Sequence, residues 1–180
     1  MAAELDRADV LAFLLDLGMS PDIEDPKQGK QRPLHVVAFH DSARVAALLI
    51  ERGAQIDCRD SNHQATPLWF AVWDQSLRTI ELLSRYSRDV RSLTFTGNVE
   101  RLREVLGAEP ELAKTVTWGQ TLLMELPGDE ARALEIAELL LAHGADPTLR
   151  NKEGMTAEEC ARKRGLEKVA ELLRAGHGAE

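Results

Sequence analysis

The chain has 180 residues, of which 44% are apolar and 29% charged, and its formal net charge is −8. This mixture suits a folded domain with a real core, excludes wholesale disorder, and argues against nucleic acid, whose binders carry a basic footprint. No apolar run approaches the ~20 residues of a membrane span, the start Met1-Ala2-Ala3-Glu4-Leu5-Asp6 lacks the basic region of a signal peptide, and two cysteines, Cys58 and Cys160, suggest no disulfide framework, so a cytoplasmic protein that binds no membrane is expected.

Asp9 to Leu17 reads as a helix with an apolar face of Val10, Leu11, Leu14, Leu15 and Leu17, ended by Gly18, which takes a left-handed conformation cheaply. Asp22 to Gln31 is a loop. Arg32-Pro33-Leu34-His35 opens a helix to His40, and Val45, Leu48 and Leu49 mark a second one, followed by Gly53-Ala54-Gln55-Ile56-Asp57. After a loop over Cys58 to Ala65 the same opening returns as Thr66-Pro67-Leu68-Trp69. Here Thr66 is placed to accept a bond from an orphan N–H of the first turn, and Pro67 stands where no N–H is needed. Arg32, at the equivalent position, cannot cap in this way, so its helix start is weaker by up to ~1 kcal/mol.

Leu77, Ile80, Leu82 and Leu83 mark the next helix, Asp89 to Thr96 a short one, and Val99, Leu102, Val105 and Leu106 another, across the turn Gly97-Asn98-Val99-Glu100. Further on come Trp118-Gly119-Gln120 and the opening Thr121-Leu122-Leu123-Met124, then a long turn Pro127-Gly128-Asp129-Glu130, an apolar helix Ala133 to Ala142 and the exit His143-Gly144-Ala145-Asp146-Pro147. A last copy, Thr156-Ala157-Glu158-Glu159, runs to Leu173. The openings stand 34 residues apart from Arg32 to Thr66 and 35 from Thr121 to Thr156, a period that marks a stacked helical array.

These openings resemble the Thr-Pro-Leu-His of ankyrin repeats, and residues 53–57 and 143–147 resemble the family's exit. The resemblance covers roughly residues 8 to 174. It implies an all-α solenoid of about six helix-turn-helix units, each with an inner and an outer helix, within a repeat domain spanning 1–174 and ahead of a disordered tail, 175–180. The first unit looks truncated, with Leu5 and Met1 available to cover its apolar side. Equivalent residues Leu83 and Val105 lie only 22 apart, so one inter-repeat finger is expected to be deleted near residues 84–90. Trp69 departs from the family's His, which ties a helix to the preceding turn, and is expected to be half-buried; His35 keeps the family residue. Glu158 replaces a stacking Leu, and Arg162-Lys163-Arg164 gives the last unit the polar outer face that a terminal repeat needs.

No motif points to catalysis. His35, His40, Cys58 and His63 match no four-ligand zinc spacing. Cys160 reads as a small buried hydrophobe and Cys58 as a loop thiol near His63, with no orienting acid in view. No glycine-rich phosphate cradle is present. No metal, cofactor or enzymatic activity is therefore expected. What the resemblance implies instead is partner binding, because inner-helix ends and finger tips line the concave face of such stacks. Those places hold Phe39 and His40, Trp73 and Asp74, Phe95 and Thr96, Lys163 and Arg164, and the tip residue Trp118. Aromatic residues are only 4% of the chain, yet four of its rings map there, and rings of this kind anchor interfaces. For Phe95 and Trp118 a second reading stays open, in which they plug the gap left by the deleted finger. Arg85, Arg88 and Arg91 form either a solvated face or a patch for an acidic partner, with Arg91 helping Asp74, Lys163 and Arg164 to orient it. The expected function is a non-catalytic protein–protein interaction module, monomeric by itself; the rival is a regulatory, inhibitory or targeting part of a larger enzyme or complex.

Overall fold

The structure is a computed structural model and describes residues 8–175. The chain divides into two compact units, Met1–Asp89 and Val90–Glu180.

The first unit contains α1 (Ala8–Asp16), α2 (Pro33–Phe39), α3 (Ala43–Glu51), α4 (Pro67–Trp73) and α5 (Leu77–Ser84). Helix α4 starts as its sequence predicts: the Thr66 hydroxyl accepts from the Trp69 N–H at 3.2 Å and Pro67 opens the first turn. Helix α2 starts at Arg32 without a side-chain cap. Instead the His35 ring reaches back, and its Nδ1 accepts the Arg32 N–H at 3.1 Å. Leu34, Val37, Leu49, Leu68 and Leu83 form the fully buried core. The turns α2–α3 and α4–α5 each need one left-handed residue, supplied by Asp41 (φ 51°) and Gln75 (φ 56°), 34 positions apart. A side chain there costs energy, but Asp41 offsets it: its carboxylate accepts the Thr79 N–H at the start of α5 at 2.9 Å and the Arg78 Nε–H at 2.9 Å.

Such cross-repeat bonds recur. The Asp22 carboxylate accepts from the Gln55 N–H (3.1 Å), Asp57 from the Arg88 N–H (2.8 Å) and, in the second unit, Glu130 from the Lys168 N–H (3.0 Å). In each case a carboxylate satisfies a backbone donor about one repeat later, which ties repeat to repeat by charge-assisted bonds. The finger after α5 is indeed missing: only residues 85–89 connect Ser84 to Val90, where the next helix begins. The short connection is held by the Ser87 hydroxyl, which donates to Asp57 at 2.5 Å and accepts from the Asp89 N–H, while Asp89 accepts from the Thr66 hydroxyl at 2.6 Å.

The second unit contains α6 (Val90–Thr96), α7 (Val99–Ala108), β1 (Val116–Thr117), β2 (Gln120–Thr121), α8 (Glu130–Ala142), α9 (Ala157–Lys163) and α10 (Glu167–Ala175), with 3-10 turns at Pro110–Lys114 and Leu122–Met124. The all-α helix-turn-helix reading holds, with β1 and β2 a short antiparallel pair between α7 and α8, Val116 opposite Thr121 and Thr117 opposite Gln120. Two expectations are corrected. The fifth unit's inner helix is a single 3-10 turn, because Pro127 turns the preceding residue away from helical geometry. Helix α8 begins three residues before Ala133, because Asp129 accepts the Arg132 N–H at 2.9 Å and caps it there. Ala175, expected in the tail, ends α10; residues 176–180, and the cover expected from Met1 and Leu5, lie outside the described residues.

Candidate functional site

In the first unit, Phe39 and Trp73 are the last residues of α2 and α4, the same place in two successive inner helices. Neither is swallowed by the core: Phe39 is 38% exposed and Trp73 42%. Trp73 stands edge-on to the His63 ring at 5.1 Å and against Phe70 at 5.2 Å. His63 is held at the finger tip by Asp60, whose carboxylate is fully buried and accepts from the His63 ring at 3.0 Å and from the N–H groups of Ala65, His63 and Asn62. Burial works against the charge on Asp60, but those bonds outweigh it and keep its pKa below the usual carboxylate value. His40 is exposed and edge-on to Phe39, and Asp74 is exposed at the end of α4. Phe39 and His40 also line a cavity of about 320 Å³ with Asp25, Gln31, His35 and Phe70.

His35 is buried. Its Nε2 donates to the Ala65 carbonyl at 3.2 Å while Nδ1 accepts from the Arg32 N–H, so it ties the residue preceding its own helix to the next finger as well. One nitrogen must donate and the other accept, which only the neutral ring can do. Burial, the largest influence, lowers its pKa accordingly. Cys58, read as a loop thiol, is buried beside His35, with Sγ 4.0 Å from Nδ1. Burial pushes its thiol up to about 11, the opposite of an activated nucleophile. Trp69, expected to be half-buried, is buried.

In the second unit, Arg91 corrects the sequence reading. It is 9% exposed, and its Nε and Nη2 donate to the two oxygens of Glu125 at 2.6 Å each. Its guanidinium also lies 4.1 Å from the centre of the Trp118 ring. It belongs neither to a solvated basic face nor to the groups free to orient a partner. Trp118, 47% exposed, sits with Gly119 in the two-residue turn of the β1–β2 hairpin, both at positive φ (54° and 84°). That is the backbone this tight hairpin demands and one a tryptophan rarely adopts; stacking on Arg91 compensates. Phe95, Lys163 and Arg164 do come together. They line an open groove of about 440 Å³ with Met124, Met155 and Glu125. Met124 and Glu125 escaped the sequence reading, although Met124 is the fourth residue of a repeated opening. Cys160 is buried and accepts from the Asn151 amide at 3.7 Å, and burial raises its pKa.

Among the described residues no cluster of three His, Cys, Asp or Glu side chains is arranged to hold a metal ion, and no helix is long and apolar enough to cross a membrane. The family model for ankyrin repeats in three copies matches residues 1–94, and the single ankyrin repeat matches residues 118–152. The chain belongs to the ankyrin repeat family. The Escherichia coli (strain K12) ankyrin repeat protein YahD is 30% identical, across 96% of this chain and 92% of that one. Human Ankyrin repeat and SOCS box protein 6 is 27% identical over 81% of this chain, which spans 42% of that protein. Among solved structures, an ankyrin repeat domain from Acinetobacter baumannii aligns with a TM-score of 0.67 and 26% identity, covering 98% of this chain and 96% of that one. The fold is that of a helix-turn-helix repeat solenoid, and ankyrin repeats generally serve as protein–protein interaction modules rather than catalysts.

Proposed function

We propose that this ankyrin repeat protein is a non-catalytic binding module that takes a partner polypeptide on the ends of its inner helices, the concave side in this family. The observation that carries the reading is the set of large rings left exposed at one helix position: Phe39 and Trp73 end their helices and Phe95, 46% exposed, stands next to last in α6. Rings held rigidly on helices bind with little ordering cost, and aromatic anchors dominate interface energies. His40 and Asp74 supply the polar rim in the first unit, Lys163 and Arg164 in the second. The test is the W73A/F39A double variant in affinity capture from the native host, followed by calorimetry on the captured partner. A cooperative melt retained together with an affinity loss above ~2 kcal/mol supports the reading. Loss of the melt, with partner affinity unchanged in whatever remains folded, assigns both rings to the core.

A second reading is a regulatory, inhibitory or targeting part of a larger assembly. It is favoured by the relative of which this chain spans 42%, where a similar repeat segment sits inside a longer protein. Under this reading the captured partner is an enzyme whose rate changes on binding.

A further inference from the structure

We propose that the groove of the second unit binds a peptide segment in which an apolar residue is followed by one or more carboxylates. The proposal rests on the reading of the chain as a binding module and adds the chemistry of the bound partner. Three apolar side chains, Phe95, Met124 and Met155, line the groove. Methionines adapt their shape to varied apolar guests, so this lining takes an aliphatic or aromatic anchor without demanding one kind.

Charge selects the residues beyond the anchor. Lys163 and Arg164 stand at the groove's edge, both exposed. The chain carries 30 acidic against 22 basic residues, and many of the second unit's bases have found a carboxylate: Arg91 with Glu125, Arg103 with Glu135, Arg150 with Glu159. Even the adjacent Arg162 is paired, with Glu158 at 2.6 Å. Lys163 and Arg164 form no ion pair among the described residues. Of the two glutamates lining the groove, Glu125 is neutralised by Arg91, which leaves Glu153 against two cations. Part of their role is local, since cations at the end of α9 favour its dipole. That role needs no apolar groove beside them. The edge is a positive spot on an acidic protein, and such complementarity sets partner choice and association rate more than raw affinity. Two bases fall short of the basic stripe that nucleic acid requires, which favours a peptide.

The test uses the full chain. Phage-displayed random dodecapeptides are selected on it, and the enriched sequence is made as a fluorescein-labelled peptide for anisotropy. The expected enrichment is a large apolar residue with Asp or Glu within a few positions. K163E/R164E weakens that peptide by roughly tenfold or more and flattens its salt dependence. F95A also weakens it, while the charge control K168E/R174E does not. Enriched peptides without acidic residues overturn the proposal, as does binding that survives K163E/R164E but is lost in W73A; in both cases the binding-module reading stands. Preferential binding of fluorescein-labelled oligothymidine at Lys163 and Arg164 overturns it as well. Absence of any enriched peptide or captured partner overturns both readings.

Discussion

Two copies of one opening lead to different structures. Thr66-Pro67-Leu68-Trp69 starts a full helix, whereas Thr121-Leu122-Leu123-Met124 yields one 3-10 turn. In the first copy the Thr66 hydroxyl accepts from the Trp69 N–H and donates to Asp89. In the second, the Thr121 hydroxyl is buried with no hydrogen-bond partner. The difference lies downstream. Pro67 preorganises the first helix, while Pro127 stops the second a few residues after it starts. Just past the 3-10 turn, Glu125 holds Arg91 and Trp118 covers the guanidinium. The second opening is thus followed by a little-exposed ion pair instead of further helix turns.

The largest test of that comparison is E125A. It strands the Arg91 guanidinium in a site where both side chains are little exposed, and removing one partner of a buried pair costs about 3 kcal/mol or more; urea unfolding should read this directly, and a cost below ~1 kcal/mol would show that the pair does not support the second unit. Next comes T66V, which removes a cap and a buried bond to Asp89 and should cost about 2 kcal/mol in the same assay.

Acid should act on the first unit. His35 has a folded pKa below its ordinary 6.5, so the folded form binds fewer protons there than the unfolded chain. Its stability contribution is complete above 6.5 and falls as pH drops through the lowered value. Asp60 acts in the same direction, with its contribution present above the ordinary 3.8 and lost as pH falls below that. Melting temperature against pH should show the first step in the native chain and not in H35Q. The smallest effect belongs to T121V: with no bond to lose, its stability should stay within ~0.5 kcal/mol of the parent. An equal cost for T66V and T121V would erase the contrast between the two openings.

Legibility followed the range of the interaction. The missing finger was readable from the 22-residue spacing of Leu83 and Val105, and the cap at Thr66 from four adjacent residues. Arg91 was misread because its partner, Glu125, lies 34 positions away with nothing local to announce it. The contact of Cys58 with His35 was missed for the same reason, since the two lie 23 positions apart. The exposure of Phe39, Trp73 and Phe95 at helix ends was readable because the repeat period carries a helix position from one unit to the next.

The sequence by itself determined the repeat, its period, the helix pairs and the rings at their ends, because caps, prolines and apolar spacing act within a few residues of one another. Only the tertiary structure decided which charges are paired inside the protein and which stay exposed with no ion pair among the described residues. Arg91 and Lys163 look alike in the chain, and whether a carboxylate from elsewhere comes within reach depends on how the repeats fold together.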